Sequence, residues 1–369
     1  MAMTLDELRT TLTELDEQLL NLVARRQGLS EQVASVKRAT GRATRDFGRE
    51  RDVILRARTT AERLGVSPDL AESLLRQLIQ SSLTTQEHAR VAADAHGSGK
   101  RALVIGGCGK MGGWFSEFLA SQGFRVTIAD PSGCLPGFDS LPDWKQDALD
   151  FDLIVLATPL GVTSDLLLAL AERAPRGLIF DLGSLKTPLR AGLTALATAG
   201  CRVTSLHPMF GPDTELLSGR HVIFIDLGHA AALQEAQELF TPTMAERVVM
   251  GLDEHDRLIA YVLGLSHALN IAFFTALAES GEAALRLARL SSTTFDSQLE
   301  VAARVAAESP DLYFEIQSLN EYGGESLLAL RQAVERLVTA VETKNGGEFT
   351  ALMNRGRAYL DVRAAARAG

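Results

Sequence analysis

Up to about residue 90, apolar side chains recur three and four apart. Leu5, Leu8, Leu12, Leu15, Leu19 and Leu22 form one stripe, which Leu29, Val33 and Val36 continue. That period is the mark of an amphipathic helix. It predicts a single helix from Thr4 to Gly41, on the order of 50 Å long at about 1.5 Å per residue. One small domain cannot cover so long a seam, so a second chain is expected along it. A second helix is expected from near Asp46 to Leu64, closed by Gly65 as C-cap. Ser67-Pro68-Asp69 opens a third, with serine as N-cap and proline in the first turn. Its stripe runs Leu75, Ile79, Ser82, Gln86. From Glu87 to Lys100 the period is lost and the chain ends in Gly97-Ser98-Gly99, which reads as a fraying helix end and a short flexible connection.

Beyond Arg101 the pattern changes to short apolar runs at 102–105, 124–129, 151–157, 177–181, 202–206 and 221–226. These read as buried parallel strands. Amphipathic stretches between them, through Ser121 and over 162–174, read as helices. Alternation of this kind predicts a doubly wound parallel α/β sheet of the Rossmann type. From Asp253 onward the chain turns helical again, over 254–280, 282–289, 295–308, 311–342 with a break at Gly323-Gly324, and 348–367. The expected architecture is therefore multidomain: an all-α domain at 1–90, a linker at 91–100, an α/β domain at 101–250 and an all-α C-terminal bundle at 251–369.

Composition narrows the classes of function. Of 369 residues, 46% are hydrophobic and 22% charged, enough for real cores. A net charge of −9 disfavours nucleic acid or an anionic membrane as the main partner. Cys108, Cys134 and Cys201 are scattered, with neither metal spacing nor a disulfide framework. No metal site is expected, and a reducing, cytoplasmic compartment is. The opening MAMTLDELRT is acidic and amphipathic, unlike a signal peptide. No continuous apolar run reaches the roughly 18 residues of a membrane span.

The strongest local signal is strand, Gly107-Cys108-Gly109-Lys110-Met111-Gly112, helix, strand, Asp130. Gly107 allows a tight turn, Gly109 lets a pyrophosphate approach the backbone, and Gly112 lets helix and strand pack closely. Asp130 is placed to accept hydrogen bonds from an adenosine ribose. Its charge repels a 2′-phosphate and no cation follows within Pro131, Ser132 and Gly133, so NAD is expected rather than NADP. Thr158-Pro159 ends a strand at the carboxyl edge, where such sheets bind ligands. Ser184, Lys186 and His207 are each expected just past a strand's carboxyl end. In the first domain, Arg26 and Lys37 put cations on the apolar side of the long helix. A buried cation needs a partner, and Asp46, Glu50, Ser82 and Gln86 add polar groups in the other two helices.

Two resemblances gather these residues. Leu8-Arg9, Ala24-Arg25-Arg26, Val36-Lys37, Arg45-Asp46-x-x-Arg49-Glu50-Arg51 and Ser82-Leu-Thr-Thr-Gln86 resemble the all-helical AroQ-type chorismate mutases over about residues 4–88. The resemblance implies an interlocked dimer. Arg26 and the partner subunit's Arg9 would hold the two carboxylates of chorismate, with Ser82 assisting. Lys37 and Gln86 would bind the ether oxygen, and Asp46 and Glu50 the C4 substituent. The glycine turn, Asp181-Leu-Gly-Ser184-Leu-Lys186 and His207-Pro-Met-Phe-Gly-Pro212 resemble the prephenate dehydrogenases. This implies NAD-dependent oxidative decarboxylation, with His207 as base, Lys186 on the pyruvyl side chain and Ser184 orienting. It also implies a C-terminal dimerisation bundle and an active site between it and the nucleotide domain. His255 and His267 fall twelve apart on the first helix of that bundle; His267 is a candidate lining residue, and His255 is either one as well or a surface or cap residue. Together the chain resembles the bifunctional enzymes of tyrosine biosynthesis.

Two positions depart from that family. Tyr322 stands where an arginine is thought to grip the ring carboxylate, and Asp296 stands at a second arginine's position; Arg304 or Arg331 would have to compensate. An acid there suits a cationic substrate, so 4-amino-4-deoxyprephenate and the matching amino-chorismate form the alternative substrate pair. A mutase with a non-catalytic NAD- or effector-binding half is the third reading.

Overall fold

The structure, a computed structural model, describes residues 3–133 and 135–368. Cys134 lies outside the described residues; Cys108 and Cys201 are free thiols. The chain falls into two compact units. The first comprises the residues up to 158 with 162–183 and 191–250; the second comprises 159–161, 184–190 and everything from 251.

In the first unit, helix α1 is Leu5–Ala39. Thr4 caps it: its hydroxyl accepts the Glu7 amide while Glu7 returns to the Thr4 backbone, a reciprocal arrangement that satisfies two otherwise orphaned donors. Helix α2, Phe47–Leu64, begins where the Asp46 carboxylate accepts the Arg49 amide and ends at Gly65, whose φ of +70° is left-handed. Helix α3, Pro68–Asp94, is capped by Ser67. It does not fray at Glu87. Its last turns stay helical because Glu87 and Val91 are buried. The Glu87 carboxylate accepts the Leu217 amide at 2.7 Å and the Met244 amide as well. Burial pushes the Glu87 carboxyl above its ordinary value, against the pull of these two hydrogen bonds. The apolar ridge of α1 is uncovered, with Leu12 61% and Leu22 63% exposed.

Six strands make a fully parallel sheet: β1 Arg101–Ile105, β2 Arg125–Ala129, β3 Asp139–Ser140, β4 Leu153–Leu156, β5 Leu178–Asp181 and β6 Arg202–Val203. Their order is β3-β2-β1-β4-β5-β6, with β1 central. Helices α4 (Lys110–Ser121), α5 (Leu160–Arg173) and α6 (Arg190–Thr198) connect them. The expected single strand at 202–206 is instead two. The chain bends at Thr204, whose amide bonds Ile179 O in one sheet and whose hydroxyl bonds Ile225 O in the other. Beyond it lies a second sheet of β7 (Ser205–Pro208), β8 (His221–Ile225) and β9 (Glu246–Met250), with α7 (Ala230–Glu238) between β8 and β9. There β7 is antiparallel to β8, and β8 parallel to β9. Phe115, Phe180, Phe224 and Phe240 fill the core of this unit.

The second unit is helical: α8 Leu252–Ile259, a π-helical turn Ala260–Leu265, α9 Ser266–Glu279, α10 Ala284–Arg289, α11 Thr293–Ala306, α12 Pro310–Ser318, α13 Gly323–Glu342 and α14 Gly346–Ala368. The stretch Leu252–Glu279 is long and apolar enough to cross a membrane by length and composition, although Ser266, His267, Asn270 and Thr275 interrupt its apolar run. It nevertheless carries buried His255, Asp256 and Asn270, and Asn270 accepts a hydrogen bond from Gln298 at 2.8 Å.

Candidate active sites

A cavity of about 320 Å³ opens between α1 and α3, lined by Lys37 and Gln86 and also by Arg38, Arg42 and Arg90. The Lys37 ammonium donates to Thr44 O at 2.6 Å, and Arg90 to the Thr44 hydroxyl at 3.1 Å. Gln86 donates to Ser30 Oγ at 2.7 Å while its Oε1 is buried without a partner. Exchanging the amide's O and N suits the Ser30 hydroxyl equally and leaves Nε2 as a donor without a protein partner. One turn away along α3, Ser82 accepts Arg26 at 2.7 Å, and Arg26 also donates to Leu78 O at 2.8 Å. Burial lowers the Arg26 pKa without discharging it.

Three residues of the expected set stand apart. Arg9 is exposed and pairs with Asp6 at 3.4 Å. Seventeen residues separate it from Arg26, about 26 Å along one helix, so both reach one substrate only if Arg9 comes from another copy. Asp46 caps α2. Glu50 faces a different groove, of about 720 Å³, held by two hydrogen bonds from Arg45 at 2.9 Å. Arg90 was not singled out by the sequence reading, although it lies four residues beyond Gln86 and therefore on the same helix face.

The glycine turn is built as expected, with one role reassigned. The left-handed residue is Gly106, φ +86°, not Gly107. A Cβ on Gly107 would come within 2.7 Å of Ile128, and one on Gly112 within 2.1 Å of Gly106 O. Gly107 and Gly112 therefore serve close packing. A Cβ on Gly109 meets nothing nearer than 3.3 Å, so its backbone stays approachable at the N-terminus of α4, which begins at Lys110 and Met111. A pyrophosphate fits there. Asp130 closes the turn, accepting the Cys108 amide at 3.0 Å and the Ser132 amide at 2.9 Å. Burial alone would raise its pKa; hydrogen bonds from Ser132 and Cys108 outweigh that and hold it below the usual carboxylate value. It is an anion fixed where a ribose would lie. Thr158 rests against Gly106 and bonds the Thr163 hydroxyl at 2.7 Å, while Pro159 directly precedes α5. These residues fit NAD and offer no group for a 2′-phosphate.

His207 does not lie past a strand end. It is the third residue of β7, 4% exposed, paired with Ile223 across an antiparallel ladder. The loop after it is fastened twice. Trp114 of α4 packs on Phe210 at 5.0 Å and donates to Thr214 O at 2.9 Å, and Glu87 of α3 holds Leu217.

In the second unit, Ser184 is half-buried and Lys186 fully buried. The backbone at Lys186 and Thr187 is bound by Asp256. His255 is fully buried against Asp256, neither at the surface nor a cap. The His267 ring lies 4.3 Å from that of Tyr313, and burial lowers its pKa, which favours the neutral imidazole. Tyr322 donates to Asp253 at 3.1 Å, and Asp253 pairs with Arg190 at 2.5 Å. The cation near Tyr322 is thus Arg190, which the sequence reading missed. Arg331 pairs with Glu335, and Arg304 donates to Glu300 O. Asp296 is exposed in the first turn of α11 and accepts the Ser291 hydroxyl. A cation-lined helical cavity and a dinucleotide turn joined in one unit, followed by a helical domain, define a class: a two-part enzyme with a nucleotide-dependent dehydrogenase behind an all-α catalytic domain.

Comparison with known proteins narrows the class. The chorismate mutase type II family matches residues 8–87, the prephenate dehydrogenase nucleotide-binding domain 137–249, and the prephenate dehydrogenase dimerization domain 252–355. The T-protein of Enterobacter agglomerans is 29% identical over 362 residues, 96% of this chain and 92% of its own. The 4-amino-4-deoxyprephenate dehydrogenase of Streptomyces pristinaespiralis is 29% identical over 275 residues, 70% of this chain and 91% of its own. The crystal structure of the A. aeolicus prephenate dehydrogenase with hydroxyphenyl propionate and NAD+ shares the fold, with a TM-score of 0.55 at 18% identity over 71% of this chain and 98% of that one. The chain belongs to the bifunctional chorismate mutase–prephenate dehydrogenase family.

Proposed function

We propose that this enzyme rearranges chorismate to prephenate and then oxidatively decarboxylates prephenate to 4-hydroxyphenylpyruvate with NAD+, the route to tyrosine. The observation that carries the reading is that one compact unit holds both the cavity of Lys37 and Gln86 and the glycine turn closed by Asp130. The rearrangement needs no nucleophile. It needs the diaxial conformer held and negative charge on the ether oxygen stabilised. Arg26, oriented by Ser82, takes one carboxylate, and Arg9 from a second copy takes the other. Lys37 and Gln86 donate to the ether oxygen. Asp46 and Glu50, which the resemblance assigns to the C4 hydroxyl, reach it only if Glu50 leaves Arg45 and turns out of its own groove.

NAD+, held by the glycine turn, the N-terminus of α4 and Asp130, would supply the hydride acceptor for C4. His207 takes the proton of the C4 hydroxyl, as an imidazole is suited to do near neutral pH. Lys186 binds the pyruvyl carboxylate and Ser184 orients the reacting groups. The ring carboxylate departs as CO2, its bonding electrons pass through the ring to the C4 oxygen and make the ring aromatic, and that oxygen takes a proton back to give the phenol. The matched dimerization domain and the uncovered α1 ridge support a homodimer, and the free thiols support a cytoplasmic setting.

A second reading keeps every step and replaces the substrates with 4-amino-4-deoxychorismate and 4-amino-4-deoxyprephenate. The Streptomyces relative motivates it. Asp296 no longer does, because Ser291 and the α11 N-terminus account for its charge. The test is a paired assay of NADH formation with prephenate and with its amino analogue. A rise with prephenate is expected; a rise with only the analogue overturns the first reading, and none with either overturns both. Arg26→Ala should cost the mutase at least about 100-fold, the scale of losing a key electrostatic group. His207→Asn should abolish NADH formation and leave the mutase rate intact.

A further inference from the structure

The start of the 3-10 turn Thr187–Leu189 has no side-chain cap of its own. Its amides are taken instead by a carboxylate seventy residues away. Asp256 is fully buried, and it accepts the Lys186 amide at 2.9 and 3.1 Å, the Thr187 amide at 2.6 Å and the Thr187 hydroxyl. His255 Nδ1 lies 2.6 Å from its Oδ1, and Asn320 donates to the Asp256 carbonyl at 2.9 Å. Burial alone would raise the carboxyl pKa, but the bonds from His255, Thr187 and Lys186 hold it below the ordinary value, so it stays an anion. Every partner named lies in the second unit.

We propose that Asp256 is a positioning residue of the dehydrogenase: its carboxylate fixes the backbone at Lys186 and Thr187 and so aims the Lys186 side chain at the carboxylate of the substrate's side chain. The inference rests on the assignment of Lys186 above. A buried charge that only stabilised the fold would be poorly chosen, since apolar packing of equal volume does as well. What five donor contacts to one carboxylate supply is a single backbone geometry. His255 then acts one step further out, holding Asp256 in place through Nδ1–H.

The experiment uses the full-length dimer and steady-state kinetics at saturating NAD+. Asp256→Asn keeps the shape but turns an amide group toward N–H donors. The expected result is a rise in KM for prephenate of about 10–100-fold, the scale of leaving buried N–H donors unpaired. The mutase kcat/KM and the Kd for NAD+ should move by less than about twofold. Thr187→Val, which removes only the hydroxyl donor, should raise KM by about 2–5-fold. The double variant with Lys186→Met decides the route: if Asp256 acts through Lys186, Asp256→Asn adds nothing to the effect of Lys186→Met. Additive losses overturn the proposal. So does an unchanged KM in Asp256→Asn, or a parallel fall of mutase rate, NAD+ affinity and melting temperature. The wild-type enzyme failing with prephenate and with its amino analogue overturns the assignment of Lys186 itself, a result distinct from any variant effect.

Discussion

Glu87 ties the last turns of the mutase helix to two loops of the nucleotide domain, and its removal is a direct test of that union. The carboxylate is 2% exposed and receives the amides of Leu217 and Met244. Glu87→Gln has one acceptor oxygen instead of two, so one amide must face another N–H donor. An unpaired buried donor costs about 1–3 kcal/mol. Glu87→Ala leaves both amides unpaired, roughly 2–5 kcal/mol after partial access of water. For a unit of this size each kcal/mol lowers Tm by roughly 2–4 °C. The alanine variant should therefore melt on the order of 10 °C lower and the glutamine variant about half that. Since burial raises the Glu87 pKa, its contribution is full below the unfolded-chain value and declines as pH rises through the folded one. The wild-type advantage over Glu87→Gln should accordingly shrink as pH increases across that interval. Hydrogen exchange gives a local reading: the Leu217 and Met244 amides should lose protection first. Unchanged protection at both, with an unchanged Tm, refutes the argument that this contact holds the helix end.

Other substitutions test separate parts. Gly112→Ala sets a Cβ 2.1 Å from Gly106 O and should weaken NAD+ binding by at least about 10-fold, measured by fluorescence titration, with the mutase spared. Aspartate at Leu12 and Leu22 puts charge on the uncovered α1 ridge. It should remove mutase activity, because Arg9 of the second copy then no longer reaches the site, even where the C-terminal bundle keeps two copies together; a full rate of chorismate loss in this variant contradicts the shared site.

The first two helices and the start of the third were legible to within a few residues, because these ends are set by local chemistry: the Thr4 box, the Asp46 and Ser67 caps and the left-handed Gly65. The glycine turn was legible for the same reason. What escaped depends on partners distant in sequence. The bend at Thr204 is made by bonds to Ile179 and Ile225, so the switch to an antiparallel β7 leaves no trace in an apolar run. Strand β3 is only two residues long, too short for a period to appear. The persistence of α3 beyond Glu87 depends on loops more than a hundred residues later. Asp256 and His255 form an ordinary polar pair in a helix that reads as amphipathic; only their full burial shows what they hold. Arg190 was overlooked because it opens α6 with no motif of its own, and its partner Asp253 lies sixty-three residues further on.

The structure also alters the weight of the two departures from the dehydrogenase pattern. An acid at the start of a helix is favoured by the helix dipole, and Asp296 occupies such a place while bonding Ser291. Its sign therefore needs no cationic substrate to explain it. Tyr322 is different. Its hydroxyl belongs to a chain running through Asp253 to Arg190, with Glu321 3.9 Å from the same guanidinium. Two carboxylates share one arginine there, and this holds the Arg190 pKa above its ordinary value, chiefly through the hydrogen bonds it donates to Asp253. Its two hydrogen bonds both go to Asp253, so N–H donors remain for a further carboxylate, but two anions already offset its single charge. If the ring carboxylate of prephenate is gripped near Tyr322, affinity is governed by the competition among substrate, Asp253 and Glu321 for Arg190, and not by Tyr322 itself.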